Sequence, residues 1–173
     1  MSARTLVAIA ALSCVVVGCG SSAAPSSAGA PGAPHPAAGA KPSAPKHIDA
    51  CSMVAPQEIS SLLGAPATGV STGKDPTQAD CTWTSSATDE SISLTISNPG
   101  TALNDKLPPE EAGFPDPTTP GPDGMRYMGG GGVEFAAGNR VNTVQVAVLR
   151  MSSDAANAAA VKLAHEIAPQ VPQ

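Results

Sequence analysis

Four cysteines are the residues of this 173-residue sequence with the widest range of chemistry. Cys14 and Cys19 lie in or just after an apolar run near the N-terminus, whereas Cys51 and Cys81 lie in a chain of mixed composition. A thiol can act as a nucleophile, bind a soft metal or form a disulfide. No two of these cysteines are spaced as C-x-x-C, so the spacing does not favour a metal site or a redox-active pair. The chemistry of each thiol therefore has to be judged from its surroundings.

The surroundings of Cys19 indicate a lipid attachment site. Leu6 to Val17 form an apolar run of about a dozen residues, which is too short for a membrane-spanning helix of about 20 residues but suits a secretory signal peptide. The end of this run, VVGC, resembles the lipobox of bacterial lipoproteins, in which an aliphatic and a small residue precede the cysteine. That resemblance implies a diacylglyceryl cysteine at position 19, further acylated with a chain such as palmitate. Lipid chains on one residue would hold the exported protein at the outer face of the cytoplasmic membrane.

Two alternatives stay open for the N-terminal segment. Cys14, in ALSC, has Ala11 where Cys19 has Val16, and its use would shorten the apolar run to about seven residues. An ordinary signal peptide or a retained anchor would leave both thiols without lipid. The interpretation that we favour is cleavage before Cys19.

Residues 19–47 are predicted to form a tether between the lipid and a folded domain. Residues 20–46 are rich in Ala, Pro, Ser and Gly and contain no Leu, Ile, Val or aromatic residue. Such a segment buries too little apolar surface to offset the entropy of ordering, so we expect a disordered spacer. The remaining residues, 48–173, are enough for a single hydrophobic core. The predicted organisation is a signal peptide at 1–18, a lipidated tether at 19–47 and one domain at 48–173.

Composition and motifs argue against several classes of partner. The formal net charge is −5, and the scattered Lys and Arg residues form no basic footprint for nucleic acid or for a membrane surface. The GGGG segment (129–132) lacks the Lys-Ser/Thr that follows in a phosphate-binding loop. The acidic residues between 110 and 123 lack the alternate-oxygen spacing of a calcium loop. We therefore expect no cofactor, no metal and no nucleic acid, and membrane contact only through the lipid on Cys19.

Ser71 is the candidate nucleophile of a weaker hypothesis, a small serine hydrolase. It lies in GVSTG (69–73), which matches the G-x-S-x-G pattern of a sharp turn between a strand and a helix. Asp154 and His165 follow in the chain order of a hydrolase triad, but both fall within one predicted helix. A glycine-rich turn is the favoured interpretation, and no catalytic residue is assigned.

The predicted helices and strands, which must position any functional site, indicate an α+β fold. A short helix is predicted within 55–66, where Pro56 suits the first helical position and Gly64 the left-handed end. An Ala-rich helix is predicted within 152–170. Alternation of apolar and polar residues predicts strands at 80–85, 91–97, 132–138 and 141–150, with Gly138-Asn139 as a hairpin turn. This order favours an antiparallel sheet of about four or more strands, with the N-terminal short helix and the C-terminal helix packed on it.

Cys51 and Cys81 are predicted to form a disulfide. Export permits disulfide formation, and an even pair without C-x-x-C spacing favours a bridge over metal binding or redox catalysis. The loop of about 30 residues that it closes would stabilise the fold by roughly 3.5 kcal/mol in the chain-entropy estimate. The bridge would fasten the start of the first helix to the first predicted strand.

The same region carries a resemblance to a protein family. DACSMVAPQEISSLLGAP followed by ADCTWTS resembles a family of small actinobacterial lipoproteins whose function is not established. The shared pattern is Asp-x-Cys, a Pro-Glu helix start, a Leu-Gly helix end and a later Cys-x-Trp. It matches here at Asp49, Cys51, Pro56, Glu58, Leu63, Gly64, Cys81 and Trp83. The resemblance covers 48 to about 97 well and implies location and fold, but no activity.

A long Pro- and Gly-rich loop at 98–132 is the candidate partner-binding segment. It carries Phe114, Met125, Tyr127 and Met128 among its prolines and glycines. Loops of this length are uncommon inside compact domains and tend to be binding segments or disordered, although a passive excursion over a sheet face is the competing interpretation. The predicted function is a membrane-anchored, non-catalytic lipoprotein that binds or senses an envelope component or protein partner. A lipid or glycolipid carrier is the alternative.

Overall fold

Strands with alternating apolar residues form an antiparallel sheet in the computed structural model, which describes residues 47–73, 75–109, 113 and 117–173. Within those residues the strands are β1 (Gly69–Ser71), β2 (Ala79–Thr84), β3 (Ser91–Ile96), β4 (Thr119–Pro120), β5 (Arg126–Gly129), β6 (Gly132–Ala137) and β7 (Arg140–Ala147). They lie in the order β1-β2-β3-β7-β6-β5-β4, and each neighbouring pair is antiparallel. The predicted α+β class is confirmed, with seven strands in the described residues.

One face of the sheet holds the hydrophobic core. Residues directly opposite each other in paired strands share a face. The register therefore aligns one inward, buried residue from each central strand in a single row: Cys81, Leu94, Val144 and Val133. The opposite face carries polar side chains in the neighbouring row, among them Thr82, Ser93 and Gln145. The amphipathic pattern of each strand thus decides which face the helices cover.

Helix α1 (Pro56–Leu63) forms where its end signals predict it. Pro56 occupies the first turn, and Gly64 closes the helix in the left-handed conformation with φ of 71°. Ala55 precedes the helix without making a side-chain cap. Ile59 and Leu63 are buried on its inner side, which fixes α1 against the core.

Helix α2 (Ser153–Ile167) packs beside β6 and β7 through a stripe of small and apolar residues. Ser152 caps its start by accepting a hydrogen bond from the Ala155 N–H at 3.2 Å. The helix lies within the predicted range 152–170, and its buried stripe consists of Ala156, Ala160, Leu163, Ala164 and Ile167. In the described part of the chain no helix has the length and apolar character needed to cross a membrane.

The Cys51–Cys81 disulfide is present and fastens a 3-10 turn (Ala50–Met53) to β2. The two Cα atoms are 5.1 Å apart. Gly69 of β1 lies directly over this bridge. A Cβ atom at Gly69 would come within 2.7 Å of both the Cys81 Sγ and the Trp83 Nε1, so the absence of a side chain lets β1 pair with β2.

Three strands were not predicted from the sequence. β1 has three residues and β4 two, and an alternating pattern of apolar and polar residues cannot be recognised over so short a stretch. β4 and β5 both lie inside the 98–132 segment, which we expected to be a loop throughout. The four glycines at 129–132 form the hairpin turn between β5 and β6, with Gly130 and Gly131 at φ of 57° and 79°. Two central residues with positive φ are what a two-residue hairpin turn requires.

Candidate functional site

A cleft of about 480 Å³ lies at the end of the sheet where the β5–β6 pairing ends, at Arg126–Glu134, and β6 continues beyond it. One wall is the segment 105–107, and the other is the turn 123–125 that precedes β5. Phe135 and Ala136 of β6 form the floor, and Ala168, just after α2, closes the back. The volume falls in the usual range for binding pockets in proteins.

The turn wall is held by backbone hydrogen bonds. The Met125 N–H donates to the Pro122 carbonyl at 2.8 Å, and the Met125 carbonyl accepts from the Gly121 N–H at 2.9 Å. Asp123 and Gly124 both have positive φ, at 52° and 77°. These bonds direct the chain away from β6 just before β5 begins, and the cleft occupies the space that results.

The opposite wall is held by Asn139, the second residue of the β6–β7 turn. Its carbonyl accepts hydrogen bonds from the N–H groups of Gly100 and Ala102, at 2.9 and 3.1 Å. Its side-chain oxygen accepts from the Asn104 N–H at 3.0 Å, and its own N–H donates to the Asp105 carboxylate at 2.6 Å. One turn residue therefore fixes the path of 100–105, so this part of the long segment is anchored to the sheet.

The cleft offers two carboxylates and one ammonium group around apolar side chains. Asp105 and Lys106 lie on one wall and Asp123 on the other. Asp123 also pairs with His165 at the end of α2, with 3.3 Å between the carboxylate Oδ2 and the imidazole Nε2. Among the described lining residues no side chain carries a hydroxyl or thiol. Such a lining suits recognition of a ligand through charge and apolar contact.

A second, shallower depression of about 430 Å³ adjoins the cleft and shares Lys106 and Leu107 with it. Leu103, Pro108 and Pro109 contribute apolar surface there. The side chain of Leu103 is 71% exposed, although its backbone belongs to the anchored segment. The two depressions together form one indented surface at this end of the domain.

The residues predicted for a binding loop do not share one site where the structure describes them. Phe114 lies outside the described residues. Met125 lines the cleft and is buried, with 7% exposure. Tyr127 pairs with Val133 on the covered face, while Met128 is 45% exposed. Of the three that the structure describes, only Met125 lines the cleft.

The other sequence candidates do not come together in a catalytic site. Cys19 lies outside the described residues. Ser71 ends the edge strand β1, and the chain continues from there towards β2 rather than into a helix, so the turn of a hydrolase nucleophile is not formed. Asp154 and His165 lie in the first and last turns of α2, about 16 Å apart along the helix axis. In the described residues no group of three or more metal-ligating side chains occurs.

Sequence reasoning missed most of the cleft. Asp105, Lys106 and Leu107 follow Asn104, which has positive φ, and an Asn-Asp pair before a Pro-Pro pair indicates a turn without saying what it faces. Phe135 lies in the strand predicted at 132–138, but its place beside the cleft depends on where the pairing of β5 with β6 ends. No local sequence pattern predicts where that pairing ends relative to Phe135.

Comparisons with known proteins identify no relative of this chain. No protein-family model matches the chain, and no curated protein or solved structure matches it.

Proposed function

We propose that this chain is an exported lipoprotein whose domain binds a protein partner of the cell envelope without catalysing a reaction. The VVGC segment around Cys19 and the preceding apolar run support the attachment of lipid. The Cys51–Cys81 disulfide fits an oxidising compartment outside the cytoplasm. The resemblance to small actinobacterial lipoproteins, carried by Asp49, Cys51, Cys81 and Trp83, points the same way.

The cleft between 105–107 and 123–125 is the observation that carries the binding role. Its walls are anchored by the hydrogen bonds of Asn139 and Met125, so the cleft exists before a ligand arrives. A preformed site loses little conformational entropy on binding. Catalysis would need a reactive group positioned by neighbours, and the described lining residues supply charge and apolar surface instead.

Site-specific photo-crosslinking in living cells tests this role. A photoreactive amino acid at Leu107 should capture a discrete envelope protein, whereas the same group at Thr143, on the polar face of the sheet, should capture it much less. Equal capture from both positions, or none from Leu107, would contradict a binding cleft.

A lipid or glycolipid carrier is the alternative function. It is supported by the apolar side chains of Leu107, Met125 and Phe135 in the cleft, and by Leu103 in the adjoining depression. The Cys19→Ala chain, which carries no anchor lipid of its own, should then co-purify with lipid detectable by native mass spectrometry. Lipid capture from Leu107 in place of protein capture would favour the carrier.

A further inference from the structure

The floor of the cleft presents backbone groups of β6 that point sideways, in the plane of the sheet and away from β7. In an antiparallel pair, the residues that flank a two-residue turn exchange both hydrogen bonds, and every second pair along the strands does the same. Ala137 and Arg140 flank the Gly138-Asn139 turn. The next pair, Ala136 and Val141, must therefore direct its N–H and C=O groups away from the partner strand.

The hydrogen bonds of Val141 confirm this direction. Its N–H donates to the Thr101 hydroxyl at 2.9 Å, and its carbonyl accepts from the Ser97 hydroxyl. Both partners follow β3, on the side of β7 that is opposite to β6. By the same geometry the N–H and C=O of Ala136 point to the other side of β6, towards the line of β5.

No strand lies opposite Ala136 on that side in the described residues. The β5 ladder ends with the pair Arg126–Glu134, because the residues before Arg126 form the turn 122–125. Ala136 is part-exposed and lines the cleft. A donor and an acceptor on an open stretch of strand form a template for another extended chain.

The side chains around this edge define what such a chain would carry. Asp105 and Asp123 stand on opposite walls, and Lys106 is the single cation among the described lining residues. The excess of negative charge favours basic side chains, and Leu107 offers apolar contact beside them. A strand alternates its side chains between two faces, so one extended segment can present both kinds.

We propose that the cleft binds an extended peptide segment of its partner by strand addition at Ala136, with basic side chains beside Asp105 and Asp123. The inference rests on the proposed binding function and names the chemistry of the ligand for that same cleft. Main-chain hydrogen bonds supply affinity in this mode, and the flanking side chains supply selectivity.

Fluorescence polarisation with the purified, detergent-solubilised lipoprotein tests the proposal. The probe is a labelled pentapeptide, Thr-Lys-Val-Lys-Thr, and the matched controls are Thr-Glu-Val-Glu-Thr and the lysine peptide with N-methylated valine and lysine amides. We expect saturable binding of the first peptide and at least about tenfold weaker binding of both controls, since one control loses charge complementarity and the other its backbone donors. An N-methylated peptide that binds as well as the parent overturns strand addition.

Protein variants locate the interaction. Asp123→Asn and Asp105→Asn should each weaken binding several-fold, whereas Asp89→Asn should not, although Asp89 is also exposed and has positive φ. Ala136→Pro removes the N–H that faces the cleft without removing a bond to β7, and should abolish binding. If a thermal melt shows that this variant does not fold, the N-methylated peptide still tests strand addition, and the asparagine variants still test the role of the two carboxylates. Equal losses in Asp89→Asn and Asp123→Asn overturn the assignment.

Failure here is distinguishable from failure of the proposed function. Capture of an envelope protein from Leu107 together with no binding of the lysine peptide would leave a binding cleft and overturn strand addition. Capture of lipid from the same position would overturn both.

Discussion

At the scale of single residues, the fold depends on a few positions where backbone and side chain meet closely. Arg140 is 5% exposed, and its guanidinium donates hydrogen bonds to the carbonyls of Thr77, Ser97 and Pro172. Burial lowers the pKa of Arg140, since desolvation disfavours the charged form. The residue thereby joins the start of β2, the end of β3 and the C-terminal tail through one side chain.

Gly69 offers a direct test at this scale. The change Gly69→Ala places a Cβ atom 2.7 Å from the Cys81 Sγ and the Trp83 Nε1, and relieving this overlap requires a shift of buried groups or of β1. We expect a loss of about 1–3 kcal/mol in the free energy of unfolding, as for an overpacked site. Chemical denaturation under oxidising conditions measures it.

Gly73→Ala is the matched control for that prediction. Its Cβ would meet no atom closer than 3.4 Å, and its φ is not positive. A loss in Gly73→Ala as large as in Gly69→Ala would show that the clash with the disulfide is not the cause.

At the scale of elements, the two helices are connected by a charge pair on the covered side of the sheet. Lys162 of α2 lies 2.6 Å from the Glu58 carboxylate of α1 and 3.6 Å from that of Glu166. The hydrogen bond to Glu58 raises the pKa of Lys162. Because Lys162 is well exposed, solvent screens the pair and keeps its contribution small.

The pH dependence of this contribution has a definite sign. A pKa that is raised on folding gives stabilisation that is present in full below the ordinary lysine value of 10.5. It is lost as the pH rises through the higher pKa of the folded state. Lys162→Met should therefore lower the Tm at neutral pH, and the difference from wild type should shrink above pH 10.5. A difference that stays constant to the highest pH at which the protein folds would refute the pair as its source.

Strands and helices were predicted correctly where a long pattern of apolar residues was bounded by residues that end such an element. The alternation in 91–97 and 141–150 and the stripe of α2 correspond to β3, β7 and the buried residues of the helix. Three strands, β1, β4 and β5, were not predicted because a strand of two to four residues is too short to show an alternating pattern. They form because the pairing of their neighbours places backbone donors and acceptors within reach.

At the scale of the whole molecule, the N-terminal sequence predicts where the protein is located. If Cys19 carries lipid, Cys19→Ala should move the protein from the membrane fraction to the soluble fraction and abolish labelling by radioactive palmitate. Two or more acyl chains give stable attachment where one gives reversible binding. Immunoblots of separated membrane and soluble fractions measure the shift.

Cys14→Ala is the control for the localisation experiment. It leaves VVGC intact and should remain in the membrane fraction with its label. Membrane retention of Cys19→Ala at the mature size would contradict the lipidation of Cys19.

The sequence by itself determined the class of fold, the disulfide and the expectation of export, because these depend on local periodicity and on short motifs. The alternating strands, the end signals of α1 and α2, and the two downstream cysteines predicted an α+β domain closed by Cys51–Cys81. Only the tertiary structure decided where the cleft lies. It arises because the pairing of β5 with β6 ends at Arg126–Glu134 while β6 continues to Ala137, and because Asn139 holds 100–105 beside that step. These contacts join residues more than 30 positions apart, and no local pattern carries information over that distance.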